Sequence, residues 1–170
     1  MPDSSVVGRG ESPIRVLALD VDGVLTDGRV TLDESGREQK SISYRDIDAV
    51  FFARRRGVRI VLITGEDTPW VDVAAKRLEV ERVYRGAKDK RRALIALREE
   101  LEVGREEVCY VGDSQRDAEA FSETGLALAP ADASEAARAA AHHVLRARGG
   151  AGAVEEAVDF VLQLRHEERI

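Results

Sequence analysis

The sequence predicts an α/β fold of three layers, in which helices cover both faces of a doubly wound parallel sheet. Short apolar runs rich in branched residues alternate along the chain with longer segments of helical periodicity. The 170 residues suit one domain, and hydrophobic residues make up 44% of them, enough for a substantial core. Strands that alternate with helices are typical of parallel sheets covered on both sides. We therefore expect one Rossmann-like domain.

Six apolar runs are predicted to form the strands of this sheet. Each is short, and most are separated from the next by a segment of helical periodicity. In chain order the predicted strands are Ile14–Leu19, Val58–Ile63, Arg82–Tyr84, Val108–Val111, Leu126–Leu128 and His143–Leu145.

The helices are predicted from periodicity and from end signals. Thr68 and Pro69 are a typical N-cap and first helical residue. Leu94, Leu97 and Leu101 are spaced to lie on one helical face. The remaining helices are predicted near Ile47–Arg56, near Arg116–Thr124 and near Val154–Leu162.

One segment interrupts the alternation between the first strand and the first helix. Residues 28–32 and 39–44 flank Asp33–Gly36, which has the composition of a turn, so a β-hairpin is predicted at about 28–44. Residues 1–13 contain Ser, Gly, Pro and charges, and we expect them to form a disordered extension. We expect residues 14–170 to form a single domain.

Charge and cysteine content narrow the classes of partner. The chain has 26 Lys and Arg against 32 Asp and Glu, a net charge of −6, which gives no support for binding to nucleic acid or to an anionic membrane. Residues 1–13 hold no apolar signal-peptide core and no stretch reaches transmembrane length, so a cytoplasmic protein is expected. The single cysteine, Cys109, lies in an apolar run, where a buried strand position is favoured over a nucleophile.

Polar residues follow four of the predicted strands. In a doubly wound sheet the carboxyl ends of the strands form the ligand-binding edge. The residues at that edge are, in chain order, Asp20, Asp22 and Gly23, then Thr64, Gly65 and Glu66, then Lys88 or Lys90, then Asp113, Ser114 and Asp117. Clustered carboxylates are costly unless a cation neutralises them, and all-oxygen ligands favour Mg²⁺ over zinc or copper. The sequence therefore predicts a Mg²⁺ site at this edge.

These residue types fit phosphoryl transfer. A carboxylate attacks phosphorus only if its repulsion from the phosphate is relieved, and a magnesium ion and a lysine supply that relief. A second carboxylate two residues further on can protonate the leaving oxygen and then activate water. The pattern of Asp20, Asp22 and Gly23 therefore indicates hydrolysis of a phosphate ester through an aspartyl-phosphate.

Four motifs resemble those of the haloacid dehalogenase-like phosphatases, in the same order. They are Asp20–Gly28, Ile63–Gly65, Lys90 and Gly112–Asp117, and the resemblance spans about residues 14–164. The branch that this chain resembles most comprises the 3-deoxy-octulosonate 8-phosphate phosphatases and their relatives that act on nonulosonate 9-phosphates. The pair Arg45-Asp46 and the segment Arg148–Gly152 also resemble that branch.

The resemblance implies a role for each residue. Asp20 would be the nucleophile, Asp22 the general acid and base, Thr64 a phosphate ligand and Lys90 a charge stabiliser. The implied metal ligands are the Asp20 side chain, the Asp22 carbonyl and Asp113, supported by Asp117 and Ser114; the implied substrate contacts are Gly65, Glu66, Arg45 and Arg148. An exposed Glu66 equally fits an electrostatic cap of the following helix, and Arg148 a solvated loop arginine.

The sequence departs from the pattern of this branch at four positions. Ser114 replaces a second Asp, Ile47 replaces a Gly, and Ala151 stands where Arg is common in the octulosonate enzymes. Glu66 follows Thr-Gly, where those enzymes tend to have Arg. The departures at Ala151 and Glu66 favour a nonulosonate 9-phosphate over octulosonate 8-phosphate as the substrate.

The spacing of the motifs leaves no room for a cap domain. The stretch from Asp20 to Thr64 is filled by the hairpin and one helix, and the stretch from Thr64 to Lys90 is shorter still. In the branch that the chain resembles, a homotetramer covers the site, with its hairpins packed together. The resemblance implies the same assembly here.

Two other classes of function compete with a phosphatase. A receiver-like signalling domain also gathers Asp, Thr and Lys around an acceptor Asp, but its acidic pair lies at an earlier strand than its acceptor. A catalytically silent subunit of a sugar-nucleotide pathway would not need Asp20, Asp22, Lys90 and Asp113 together. Persistence of a phosphoprotein would favour the first class, and failure to hydrolyse any phosphosugar would favour the second.

Overall fold

The computed structural model describes residues 14–167, and its centre is a parallel six-stranded sheet. The strands of the sheet are β1 (Val16–Asp20), β4 (Arg59–Ile63), β5 (Val83–Tyr84), β6 (Val108–Val111), β7 (Leu126–Ala129) and β8 (His143–Val144). They are arranged in the order β5-β4-β1-β6-β7-β8, with β1 between β4 and β6. The chain therefore runs outward from β1 in both directions, as in doubly wound sheets.

Six helices cover the two faces of this sheet. They are α1 (Tyr44–Arg55), α2 (Pro69–Arg77), α3 (Lys90–Leu101), α4 (Gln115–Ala120), α5 (Glu135–Ala140) and α6 (Ala153–Glu167). One core lies under α1, α2 and α6, and the other lies under α3, α4 and α5. This arrangement confirms the predicted fold class.

Strand β1 contributes side chains to both cores in turn. Leu17 and Leu19 belong to the core beneath α1 and α6, whereas Val16 and Ala18 belong to the core beneath α3. Successive strand residues point to opposite faces, so a strand buried on both sides is apolar throughout. Burying one such leucine contributes roughly 1.5–3 kcal/mol to the stability of the fold. This contribution favours a position for β1 inside the sheet, where both of its faces are covered.

The interrupting segment forms a separate antiparallel hairpin. Its strands are β2 (Thr31–Leu32) and β3 (Glu38–Gln39), and Thr31 pairs with Gln39. The hairpin predicted at about 28–44 contains both strands, but the strands are shorter than predicted, and Tyr44 already begins α1.

The position of β1 brings three loops to one point. Because β1 lies between β4 and β6, the loops that leave the carboxyl ends of these three strands are neighbours at the point where the chain direction switches. Asp20 ends β1, Thr64 follows β4, and Asp113 follows β6.

Between residues 14 and 167 no helix combines the length and apolarity needed to cross a bilayer. The extension predicted at residues 1–13 lies outside the described residues.

Candidate active site

The loop after β1 turns sharply at Gly23. The backbone of Gly23 has φ +87°, and a Cβ at this position would lie 1.8 Å from Oδ2 of Asp113. A side chain here would be strained by the backbone and would also collide with a carboxylate from the neighbouring loop. The absence of a side chain therefore lets the loops after β1 and β6 approach each other.

Asp20 is almost completely buried at the end of β1, with 6% of its surface exposed. Its Oδ1 accepts hydrogen bonds from the Val21 amide and from the Lys90 ammonium, each at 2.8 Å. Burial raises the pKa of Asp20 well above its usual range, and the nearby carboxylate of Asp117 adds to this, while Lys90 opposes it. Asp20 is thus a carboxyl group that needs positive charge beside it to ionise.

Lys90 supplies one such charge. It begins α3, is 5% exposed, and donates to Asp20 and to Oδ1 of Asp117, the latter at 3.2 Å. Although burial alone favours the neutral amine, these two carboxylates raise the pKa of Lys90 above its ordinary value. The alternative lysine, Lys88, is exposed, and its Nζ lies 3.8 Å from the place of a Cβ on Gly65. The structure therefore brings Lys90, and not Lys88, onto Asp20.

Asp117 is fully buried, and both of its oxygens are occupied by protein donors. Oδ1 accepts from Lys90 and from the Tyr110 hydroxyl; Oδ2 accepts from the amides of Asp113 and Ser114 at 2.9 and 3.0 Å and from the Ser114 hydroxyl at 3.0 Å. Burial opposes ionisation, but Lys90 and these donors hold the pKa of Asp117 below its usual value. Asp117 is therefore an ionised support that positions Lys90 and the loop after β6.

The acidic cluster fits a divalent cation. Oxygens of Asp20, Asp113 and Asp117 lie within 4.8 Å of one another, and within residues 14–167 Lys90 is the one cation that forms ion pairs with them. Three ionised carboxylates beside one ammonium leave two negative charges in a buried place. Burial, with the charge of Asp117, raises the pKa of Asp113 to about 6. Since Asp117 is saturated by protein donors, Asp20 and Asp113 are the carboxylates left to hold a hard cation such as Mg²⁺.

Asp22 lies at the edge of the cluster, with its side chain 33% exposed. Its Oδ1 accepts a hydrogen bond from the Thr26 hydroxyl at 3.2 Å, and the Thr26 oxygen in turn accepts from the Gly23 and Gly28 amides at 3.3 and 3.2 Å. Its two oxygens also lie 3.0 and 3.1 Å from Nζ of Lys40. Asp22 is therefore held in place by both its own loop and the hairpin.

The loop after β4 places Thr64 beside the cluster. Thr64 is 1% exposed, its amide donates to the Tyr84 carbonyl at 2.8 Å, and its hydroxyl accepts from the Glu66 amide at 3.1 Å. The Glu66 side chain is exposed, and Gly65 is half-buried. Phosphate binding by Thr64 and substrate contact by Gly65 and Glu66 stay predictions.

The two candidate arginines form ion pairs away from the carboxylate cluster. Arg45 lies 3.9 Å from Glu155, and Arg148 lies 3.5 Å from Asp132; their side chains are 75% and 73% exposed. The backbone beside Arg148 does reach the site, since a Cβ on Gly149 would lie 1.8 Å from the Gly23 carbonyl oxygen. Substrate contact by Arg45 and Arg148 stays a prediction.

Comparison with known proteins gives the family. The model of the haloacid dehalogenase-like hydrolases matches residues 33–125. The 3-deoxy-D-manno-octulosonate 8-phosphate phosphatase KdsC of Escherichia coli K12 is 35% identical over 94% of this chain and 84% of its own. The chain belongs to the haloacid dehalogenase-like hydrolases. Within that family it is a phosphatase.

Solved structures of haloacid dehalogenase-like phosphatases share the fold. The octulosonate phosphatase of Moraxella catarrhalis, in complex with magnesium, phosphate and KDO, is 29% identical with a TM-score of 0.88 over 93% of this chain and 91% of its own. The cobalt-bound enzyme of Haemophilus influenzae is 31% identical with a TM-score of 0.87, covering 92% of each chain. The likeness confirms the resemblance that the motifs indicate.

Sequence reasoning missed three polar residues that complete this haloacid dehalogenase-like site. Thr26 and Lys40 hold Asp22, and Tyr110 donates to Asp117. A signal existed for Tyr110, because a phenol within a buried strand needs a hydrogen-bond partner. No spacing rule connects Lys40 to Asp22, because the hairpin geometry alone brings them together.

The structure explains two of the residues that depart from the family branch, Ser114 and Ile47. Ser114 donates through both its amide and its hydroxyl to Asp117, so it supports the loop where a second Asp would add negative charge. Ile47 is 6% exposed and packs in the core. Ala151 is exposed before α6. The structure gives no account of why Ala151 replaces an arginine.

Proposed function

We propose that this chain hydrolyses the phosphate ester of an eight- or nine-carbon sugar acid, with Mg²⁺ as cofactor and Asp20 as the phosphorylated residue. The observation that supports this most strongly is the environment of Asp20. It is a buried carboxylate beside one ammonium, opposite Asp113, and two residues before a carboxylate at the rim. The octulosonate 8-phosphate and nonulosonate 9-phosphate types remain the two candidate substrates.

The first step transfers the phosphoryl group to the protein. A carboxylate oxygen of Asp20 forms a bond to phosphorus while the bond from phosphorus to the sugar oxygen breaks. The carboxyl group of Asp22 gives its proton to that sugar oxygen, and the sugar acid leaves as an alcohol. Thr64 and Lys90 hold the phosphate oxygens, which stabilises the charge on them.

The second step returns the phosphoryl group to water. The Asp22 carboxylate takes a proton from a water molecule as the water oxygen attacks phosphorus, and the bond to Asp20 breaks. Inorganic phosphate leaves, and both carboxyl groups regain their starting states. Asp20, Asp113 and the Asp22 carbonyl would hold Mg²⁺, which would supply the positive charge that offsets repulsion between carboxylate and phosphate.

Exposed apolar side chains in and beside the hairpin support a homotetramer. Leu32 of β2 is 61% exposed, Val30 just before β2 is 47% exposed, and Tyr44 at the start of α1 is 74% exposed. Apolar side chains grouped on a projecting element favour association between copies. We expect a tetramer by light scattering with size exclusion; a monomer for both the wild type and Leu32→Glu would contradict this part of the proposal.

A phosphate-release screen tests the reaction. The panel contains octulosonate 8-phosphate, a nonulosonate 9-phosphate and hexose phosphates, each with and without Mg²⁺. Asp20→Asn should reduce turnover by on the order of 10⁴-fold without unfolding the domain, because it removes the nucleophile and keeps the shape. Asp48→Asn, an exposed aspartate of α1, is the control. Release from none of the esters, or a phosphoprotein that persists for many minutes, would contradict a phosphatase.

A further inference from the structure

Lys40 reaches the candidate site from an element outside the four motifs. It follows β3 of the hairpin, and its side chain is only 6% exposed. Lysine side chains on hairpins usually extend their ammonium groups into water. Here Nζ instead contacts both carboxylate oxygens of Asp22, at 3.0 and 3.1 Å.

The surroundings of the Lys40 ammonium fix it on Asp22. It lies 5.1 Å from the centre of the Trp70 indole ring, a distance that favours attraction between a cation and an aromatic face. Oε2 of Glu38 is 3.9 Å away and, among the described residues, that buried oxygen accepts no hydrogen bond. An ammonium enclosed by two carboxylates and an indole has little freedom to turn towards solvent.

Two groups therefore orient Asp22, and they differ in origin. Thr26 comes from the same loop and donates to Oδ1 only. Lys40 comes from the hairpin and contacts both oxygens. A single donor leaves a carboxylate free to rotate, whereas a second donor that spans both oxygens limits the rotation and so fixes the direction in which a proton is transferred.

We propose that Lys40 is a positioning residue that aims the Asp22 carboxyl group at the leaving oxygen. This inference rests on the proposed function, in which Asp22 moves the proton. Trp70 and Glu38 hold the Lys40 ammonium in place for this purpose. The hairpin is then part of the catalytic apparatus as well as an exposed surface.

The test compares two leaving groups. Octulosonate 8-phosphate releases an alkyl oxygen that must be protonated, whereas p-nitrophenyl phosphate releases a stable phenolate that leaves without a proton. The quantity measured is kcat/KM, which covers the steps up to release of the leaving group. Lys40→Met should lower kcat/KM for the alkyl ester by on the order of 10²-fold, the scale of general acid catalysis, and change it by about threefold or less for the aryl ester.

Matched variants separate this role from others. Lys76→Met removes an exposed lysine of α2 and should leave both substrates unaffected.

Each outcome decides the inference. Equal losses on both esters, a rise in KM for the sugar acid alone, or no loss on either would overturn it. Should Lys40→Met fail to fold, Lys40→Arg keeps the charge but shifts its donors, and the same selective loss on the alkyl ester is expected. A wild type that hydrolyses neither ester overturns the proposed function, whereas an active wild type without the selective loss in the variants overturns only the role of Lys40.

Discussion

The ammonium of Lys90 lies 2.8 Å from Asp20 Oδ1 and 3.2 Å from Asp117 Oδ1, so one cation joins two carboxylates that are far apart in the sequence. All three groups are at most 6% exposed. At that depth an unpaired charge is much more costly than at the surface. The contacts of Lys90 with Asp20 and Asp117 are therefore important for stability as well as for chemistry.

Removal of the Lys90 ammonium should reduce both the stability and the activity of the protein. Lys90→Met leaves two buried carboxylates without their partner, and we expect a loss of about 3–5 kcal/mol in the free energy of unfolding together with loss of phosphatase activity. Urea unfolding and phosphate release measure the two effects. Lys88→Met, at an exposed position two residues away, is the control for stability. Equal stability of the two variants would contradict the pairing.

A methyl group at Gly23 should displace Asp113. Gly23→Ala would place a Cβ 1.8 Å from Oδ2 of Asp113, so Mg²⁺ affinity measured by calorimetry should fall at least tenfold, a change of about 1.4 kcal/mol. Gly36→Ala is the matched control, because Gly36 has a similar φ of +80° but, in the part of the chain that the structure describes, no atom lies within 4 Å of the added Cβ. Weak Mg²⁺ binding in both variants would point to backbone strain instead.

Stabilisation by Mg²⁺ should grow with pH. The pKa of Asp113 is raised from 3.8 to about 6 in the metal-free fold, so its contribution to stability is greatest at low pH and declines as pH rises through about 6. A bound cation offsets the cost of ionising Asp113, because it binds the ionised carboxylate. We expect the rise in Tm caused by Mg²⁺ to be larger near pH 7.5 than near pH 5. A rise that is independent of pH would contradict the assignment of Asp113 as a ligand.

The Tyr110 hydroxyl should matter although it is far from solvent. Tyr110→Phe deprives the buried Asp117 carboxylate of one donor, and we expect a loss of about 1–3 kcal/mol in the free energy of unfolding. Tyr44→Phe removes a hydroxyl from an exposed residue and should change stability by less than about 0.5 kcal/mol. Thermal unfolding of both variants checks the difference.

Sequence patterns predicted the central elements and placed the principal site residues on the correct loops. Asp20, Thr64 and Asp113 could be assigned to one rim because parallel strands end at the same edge of a sheet. The choice of Lys90 over Lys88 agrees with the geometry of the Asp20 pair. The shared rim could be predicted from local periodicity and chain order alone, whereas the choice of Lys90 came from the family resemblance.

Side-chain contacts between distant elements could not be predicted in the same way. Lys40 meets Asp22 only because the hairpin folds back over the loop after β1. Arg45 and Arg148 pair with Glu155 and Asp132, which no motif spacing indicates. Such contacts depend on tertiary geometry, and one sequence without that geometry does not specify them.

The glycine loop before α6 rests directly on the loop that carries the candidate nucleophile. A Cβ on Gly149 would overlap the Gly23 carbonyl oxygen, and Asp46 of α1 accepts the Gly152 and Glu155 amides at 3.3 and 3.0 Å where α6 begins. The segment that leads into α6 thus stabilises α1 and the loop after β1, which lie in the first third of the chain. A protein truncated before Arg148 would lose the segment that packs against the loop after β1. Its active-site loop would then be left without support, even though all four motifs were still present.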